Sequence, residues 1–530
     1  MASYCSVLFL GLFLPAVVGL YWLAPQKHRW KVLLIASYAF FWSISGKLLV
    51  YLVLSTFSIH HFGLWMMTVQ EEKKQALSEA EKSEKKAIKA RFQLRLRNIV
   101  LLAVLLHIGT LVTLKYTPFF GSNLNQLLLL LNAPFRVPVP RFIMPIGISF
   151  YTLQAVSYLL DVYRGSEQAD RNLGRLALFM AFFPQIIEGP ICRYGQTAHQ
   201  LWAGHPITYH NLTMGIQRIL YGVMKKVVVA DRLNLFIKNV FIDFANYDGA
   251  TVAVAMVFYT CQLYMEFSGT MDMVVGVAEI FGVTMPENFR RPFFSKSISD
   301  FWSRWHVSLG TWFRDYVFYP LTMSKPLKKV TVAARKHLGN HFGPLIAGSV
   351  ALFTVWICNG LWHGAGWQYI FFGLYHFALI LTGNIVEPFA QRGAERLHID
   401  RTGRVYHILQ IARTVVLVNI GELFFRADGL RAGLTMFRIM VTRFSLTTFT
   451  DGSLLELGMD LGDFLIVAVT VVIVFAVSLV NEKGISLRDK VASLPLPARW
   501  VLYYALIFFI IIFGAYGADY VPVDPMYANF

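Results

Sequence analysis

Charge is what this sequence has least of. Only 15% of its 530 residues are Asp, Glu, Lys or Arg, against about 25% in soluble globular chains. Cysteine is scarce as well. Cys5, Cys192, Cys261 and Cys358 each stand alone in apolar context, with no CxxC spacing. They read as small core residues rather than ligands or bridge partners, which excludes a disulfide scaffold. The marks of soluble enzymes are missing too: no GxxxxGKS or GxxxxGKT loop for nucleotide phosphates, no HExxH for zinc, no GxSxG nucleophile elbow. No repeat of fixed period is visible, so inverted-repeat transporter symmetry gets no support.

What is present is apolar surface. Hydrophobic residues make up 56% of the chain and the mean hydropathy is +0.52. A water-soluble protein of this length could not hide so much, and the apolar runs recur to the last residues. Several membrane spans are therefore expected, not one anchor, and disorder and collagen-like fibres are excluded. The net charge of +17 would point to nucleic acid in a soluble chain. Here the basic residues cluster between apolar runs, as the positive-inside rule requires of cytoplasmic loops. Lipid, and no nucleic acid, is the expected surrounding.

The first apolar run, residues 7–24, has no positive segment before it and no small-residue cleavage site after it. Lys27, His28, Arg29 and Lys31 follow instead. This reads as a retained span with the N-terminus outside and a multi-pass chain in the plasma membrane. Residues 32–69 are long enough for two spans with a break at Ser45-Gly46-Lys47. Residues 71–97 mix Glu with an excess of Lys and Arg among good helix formers, and read as a cytoplasmic helical insertion. Ten further runs lead to 498–518, giving about 11 spans plus partial helices. Residues 182–190 hold two prolines, a glycine and Glu188, which predicts a broken or re-entrant helix. The stretch 324–341 carries Lys325, Lys328, Lys329, Arg335 and Lys336 without an acid, and reads as a cytoplasmic loop. The fold class is all-α and polytopic. The expected divisions are N-terminal spans with the insertion (1–97), a core (98–430) and C-terminal spans (431–530).

Polar residues among apolar ones are costly in a bilayer and default to functional candidates. In the stretch 299–316, one continuous helix would put Trp302, Trp305, His306, Leu309 and Phe313 on one face and Asp300, Arg304 and Ser308 on another. An interfacial helix with an aromatic anchor is one reading. An imidazole on the aromatic face suits a site better. In Cys358-Asn359-Gly360-Leu361-Trp362-His363-Gly364 a histidine follows a long apolar run and has glycines on either side. Histidine can take and return a proton near neutral pH, as acyl transfer to a hydroxyl needs. A His at a helix end, satisfied by a carbonyl, is the competing reading. For His376 a structural or interfacial role is favoured. Glu266 and Asp272 lie inside an apolar run and are expected to pair with arginines such as Arg290, Arg291 or Arg304.

Taken in order, several pieces resemble the membrane-bound O-acyltransferase family. They are Met144-Pro145-Ile146-Gly147-Ile148-Ser149-Phe150-Tyr151, Phe182-Phe183-Pro184-Gln185 with Gly189-Pro190, Phe267-Ser268-Gly269, and Pro286-Glu287-Asn288-Phe289. Asp300-Phe301-Trp302 with Arg304-Trp305-His306, Trp312-Phe313-Arg314-Asp315-Tyr316 and Gly360-Leu361-Trp362-His363-Gly364 complete the set. Each piece is weak and the ordered set is specific. It covers roughly residues 100–430 and is similar to the bacterial branch, which acetylates alginate or peptidoglycan or transfers D-alanine to teichoic acid. Leu423-Phe424-Phe425-Arg426-Ala427 and the terminal Pro525-Met526-Tyr527-Ala528-Asn529-Phe530 look like the alginate side; Phe294-Ser295-Lys296-Ser297 also suits the D-alanyl side. Glu188 and Thr270 depart from the family pattern.

The resemblance implies a membrane-embedded tunnel, a catalytic His363 and a second essential His306. Asn359, Trp305, Arg304, Arg314, Asp315, Gln185, Glu188, Glu266 and Ser268 would support or line it. It further implies an acyl-thioester donor from the cytoplasm, acetyl-CoA first among them, with no bound cofactor or metal. The acceptor would be hydroxyls of an extracytoplasmic polysaccharide, with an SGNH-type extracytoplasmic acetyltransferase as partner. Two readings compete: D-alanyl transfer from a carrier protein docking on the basic 324–341 stretch, and a non-enzymatic transporter.

Overall fold

The computed structural model describes residues 4–517 and 520–523. The terminal piece Pro525–Phe530 lies outside the described residues. All regular structure among them is helical apart from one isolated backbone bridge. Two compact units are formed. The first holds the described residues up to Ile216 together with Val274–Pro286; the second holds Gln217–Met273 and the described residues from Glu287 on.

The first unit carries α1 (Leu14–Leu23), α2 (Arg29–Ser45), α3 (Leu49–Glu79), α4 (Lys85–Leu130), α5 (Ile148–Arg164), α6 (Leu173–Ala181) and α7 (Tyr194–Leu201). The expected break between α2 and α3 falls on Gly46, whose φ of 52° suits glycine. The polar insertion is helical and split at 80–84, so it forms the tips of the α3–α4 hairpin, with Arg95 on Glu72 at 2.5 Å. Of the broken or re-entrant helix expected at 182–190, the break is seen. After nine residues α6 ends, too short to cross, and irregular backbone follows. Protein satisfies that backbone: Tyr4 Oη donates to the Phe183 carbonyl at 2.9 Å and Gln185 Nε2 to the Phe179 carbonyl at 2.7 Å. Gly147 lies against it with φ 77°, and a Cβ there would strike the Ile186 carbonyl. Only glycine meets both demands.

The second unit begins within α8 (Tyr209–Met224), which runs through a π-helical stretch, Lys225–Ala230, into α9 (Asp231–Ile242). Most of α10 (Gly249–Ile280) belongs here as well. Then come α11 (Ile298–Arg304), α12 (Val307–Phe313), α13 (Tyr319–Thr322), α14 (Lys325–His363), α15 (Trp367–Arg396) and α16 (Arg404–Arg426). The chain closes with α17 (Leu430–Thr442), α18 (Leu461–Glu482), α19 (Leu487–Ser493) and α20 (Leu496–Phe513). α14 and α15 pack backbone to backbone: a Cβ on Gly360 would meet the Tyr369 carbonyl, and one on Gly373 the Trp356 carbonyl. Such small-residue contacts are how membrane helices approach closely.

Eight helical stretches among the described residues are long and apolar enough to cross a membrane, one of them, Gln26–Glu79, containing both α2 and α3. About 11 spans were expected. The remainder lies in runs that fold short or broken, such as α6, and in the apolar helix Phe9–Leu23. Two expectations fail. The 324–341 stretch is not a loop but the first part of α14, interrupted at Gly339 (φ 75°). Pro326 in its first turn and the Ala, Lys and Leu content favour a helix, and its five basic side chains are exposed. Nor is 299–316 one helix. The chain breaks at Trp305-His306, which takes the one-face arrangement with it.

Candidate active site

The break creates the site. α11 is started by Ser297, whose hydroxyl accepts from the Asp300 amide at 3.1 Å. It ends at Arg304, Trp305 is extended, and His306 sits at φ 46°, ψ 50°. A non-glycine residue in the left-handed region costs about 1 kcal/mol or more, and such residues cluster at functional sites. The segment 288–290 holds it there. Arg290 N donates to the Arg304 carbonyl at 2.9 Å and Val307 N to the Asn288 carbonyl at 3.0 Å. The Asn288 side chain completes the clamp. Its Oδ1 accepts from Ser308 N at 2.9 Å and meets His306 Nδ1 at 3.3 Å. An oxygen that accepts from both groups places the proton of a neutral His306 on Nδ1. Nε2 is then the basic nitrogen of that ring.

His363 is the last residue of α14, followed by Gly364 in extended backbone. Both histidines are buried, at 2% and 4% exposure. They meet across one indole: Trp362 lies 5.6 Å from the His306 ring and 5.1 Å from the His363 ring, centroid to centroid. Phe267 of α10 stands edge-on to His306 at 4.8 Å, and Phe425 of α16 edge-on to His363 at 5.1 Å. Residues 57 positions apart in sequence thus share one aromatic chamber built from α10, α12, α14 and α16. Asn359 is buried one turn before His363, the spacing that shares a helix face. His376 takes the structural role expected of it. It is fully buried, and its Nδ1 accepts from Trp302 Nε1 at 3.1 Å, tying α11 to α15.

Beside the chamber lies a charged cavity of about 700 Å³, whose lining includes Arg218, Lys225, Ser268, Asp272, Asn288 and Arg290. Asp272 receives Arg218 Nε at 3.0 Å and Lys225 Nζ at 2.5 Å, and Lys225 also donates to Ser268 Oγ at 2.9 Å. Arg218 clamps Glu287 with two further bonds, at 2.7 and 2.5 Å. Glu266 pairs with Lys226 at 2.9 Å. Both acids are therefore paired as expected, but with partners from α8 and the π-helical stretch, not with Arg290, Arg291 or Arg304. The π-helical stretch turns adjacent lysines to two different acids. Asn288 is common to cavity and chamber, so the cavity reaches within one side chain of His306.

The other sequence candidates fall in three places. Trp305 is buried against Phe289 at 5.0 Å and supports the His306 turn. Arg304 bridges Asp300 and Glu482, both at 2.9 Å. Arg314 and Asp315 pair with each other at 2.9 Å, with Arg314 half exposed. Gln185 and Glu188 belong to the first unit, where both are buried. Sequence reasoning passed over Arg218, Lys225 and Lys226, although two lysines inside the apolar run 212–229 were the signal. It quoted Asn288 without a role. Among the described residues no group of three His, Cys, Asp or Glu side chains could hold a metal ion.

The chain matches the membrane-bound O-acyltransferase family over residues 170–335. It is 31% identical over 439 residues to the probable alginate O-acetylase AlgI of Pseudomonas aeruginosa, covering 82% of this chain and 74% of that protein. To the peptidoglycan O-acetyltransferase of Helicobacter pylori it is 30% identical, over 64% of each chain. To the teichoic acid D-alanyltransferase of Bacillus subtilis it is 33% identical, over 48% of this chain and 62% of that one. The chain belongs to the membrane-bound O-acyltransferase family and is a multi-pass membrane acyltransferase.

Proposed function

We propose that the protein moves an acetyl group from a cytoplasmic thioester, acetyl-CoA, to hydroxyls of an extracytoplasmic envelope polysaccharide. The observation that carries the reading is the pair of buried histidines sharing Trp362, in a chain whose longest-matching relatives bear the name O-acetylase. In the reaction the acceptor oxygen forms a bond to the acyl carbon and the carbon–sulfur bond breaks. The hydroxyl proton goes to His363, which passes it to the leaving thiolate to give the thiol. General-base help of this kind is worth about 10²–10⁴ in rate.

His306 has a different task. With Nδ1–H committed to Asn288, its neutral ring accepts and does not donate. It holds an N–H of the donor's amide-bearing arm where the cavity meets the chamber. Arg290, exposed on the cavity lining, suits a phosphate-bearing donor. The aromatic walls keep water from the thioester. An SGNH-type extracytoplasmic protein completes delivery to the polymer. The chain sits in the plasma membrane with its N-terminus outside, which puts 71–97 and 324–341 in the cytoplasm. Cysteines placed at Ser78 and Ser324 in a cysteine-free background should then resist an impermeant thiol reagent until the membrane is opened.

Deleting the protein should remove O-acetyl esters from an envelope or exported polysaccharide and leave ester-linked D-alanine unchanged, read by mild alkali release and mass analysis of the freed acids. Loss of D-alanine with acetate intact would overturn the acetyl assignment.

A further inference from the structure

The first unit has a cavity of its own that acyl transfer leaves unused. It measures about 590 Å³, and its lining includes Gln70, Lys74, Glu167, Asp170, Arg175 and Trp202. α3 fixes its depth. Before Val69 the exposed side chains of this helix include Leu54, Phe57 and Trp65. Past Val69 they include Glu71, Glu72 and Lys74. The cavity therefore lies where the helix passes from hydrocarbon to water, the level of lipid headgroups. Its walls carry both signs of charge across an aromatic divide. Arg175 lies over the Trp202 ring at 5.2 Å, Trp202 stands 6.1 Å from Tyr194, and the Tyr194 hydroxyl donates to Asp170 at 2.5 Å. Glu167 is half-buried against Gly195, where any Cβ would strike its carboxylate. Of the lining charges, Arg171 and Glu71 pair at 3.3 Å, both exposed, whereas Lys74, Arg175 and Glu167 form no ion pair among the described residues.

We propose that this cavity binds the headgroup of a zwitterionic phospholipid with a primary ammonium, phosphatidylethanolamine: its phosphate meets Arg175 and Lys74, and its ammonium meets Glu167. The planar guanidinium suits a phosphate. A purely anionic headgroup would bring its charge to Glu167 and Asp170 with nothing to offer them, and like charge is how a site rejects a wrong partner. A trimethylammonium has no N–H to give a half-buried carboxylate, so phosphatidylcholine loses a charge-assisted hydrogen bond that the primary ammonium makes. The inference does not depend on the acyl group or on its route through the second unit.

The test uses the purified full chain in detergent, titrated with phosphatidylethanolamine, phosphatidylcholine and phosphatidylglycerol of one acyl composition, with bound lipid counted by native mass spectrometry. One phosphatidylethanolamine per chain should bind at least about tenfold more tightly than either of the others, the difference expected for a charge-assisted hydrogen bond. Glu167→Ala should erase the preference over phosphatidylcholine by weakening phosphatidylethanolamine alone. Arg175→Ala should weaken both zwitterionic lipids alike and several-fold, and with the wild-type order of lipids it decides the matter if Glu167→Ala does not accumulate. Equal binding of the three lipids, tighter binding of phosphatidylglycerol, or a preference that survives Glu167→Ala overturns the inference. Soluble phosphoethanolamine controls for the source of the headgroup. If it displaces the lipid at equal concentration, the cavity serves a soluble ligand and the lipid assignment is overturned.

Discussion

The second unit holds two polar regions that solve the same problem in opposite ways. Around α8, α10 and the π-helical stretch, full charges are buried and each is met by its opposite: Arg218 and Lys225 by Asp272, Lys226 by Asp231 and Glu266. Around His306 and His363 the neighbours are rings: the imidazoles stand edge-on among Phe267, Trp362 and Phe425, and the amide of Asn288 meets His306. Matched charges hold positions and resist change. A neutral ring in an aromatic wall keeps its proton chemistry available. On the proposed reading, the first region serves architecture and donor binding, and the second holds the donor's arm at His306 and moves the proton at His363.

The largest effect should come from the chamber. His363→Ala, at wild-type amounts, should cost at least about 10²-fold in acyl transfer, the loss expected for a general base. More than a tenth of the wild-type rate would break the assignment. His306→Ala should cost less and weigh on donor KM more than on turnover. The double variant should fall far short of the product of the two losses, because residues working as one unit are not independent. Additive losses would mean that His306 only packs against Phe267.

A middle-sized effect belongs to the charged region. Asp272→Ala leaves Arg218 and Lys225 without their shared carboxylate. Breaking a buried pair costs about 3–5 kcal/mol, so the thermal midpoint in detergent should drop, and His363→Ala should not lower it comparably. Equal drops would erase the distinction. The smallest effect concerns the cavity rim. Arg290→Ala should raise acetyl-CoA KM several-fold with turnover nearly intact, in line with about 1 kcal/mol for one partly screened cation. A fall in turnover alone would place Arg290 in the chemistry.

Much of this was legible in sequence, for definite reasons. Long apolar runs and the charge rule carry the polytopic fold, and the Pro- and Gly-rich 182–190 stretch carries the broken helix. His306 and His363 stood out because imidazoles are costly among apolar neighbours. Two things were hidden. Periodicity treats 299–316 as continuous and cannot see that the 288–290 segment pulls His306 into the left-handed region through backbone bonds from a distant stretch. Nor can it tell which cation will meet a buried acid: Glu266 and Asp272 had arginines nearby in sequence, but packing of α8 against α10 supplied lysines and Arg218 instead.

The division between holding the donor and moving the acyl group is tested most directly by purified His363→Ala protein, assayed in parallel for equilibrium binding of labelled acetyl-CoA and for acetyl transfer. The account predicts donor binding within about twofold of wild type with transfer reduced at least about 10²-fold. Binding lost together with transfer, or transfer retained without His363, would contradict it.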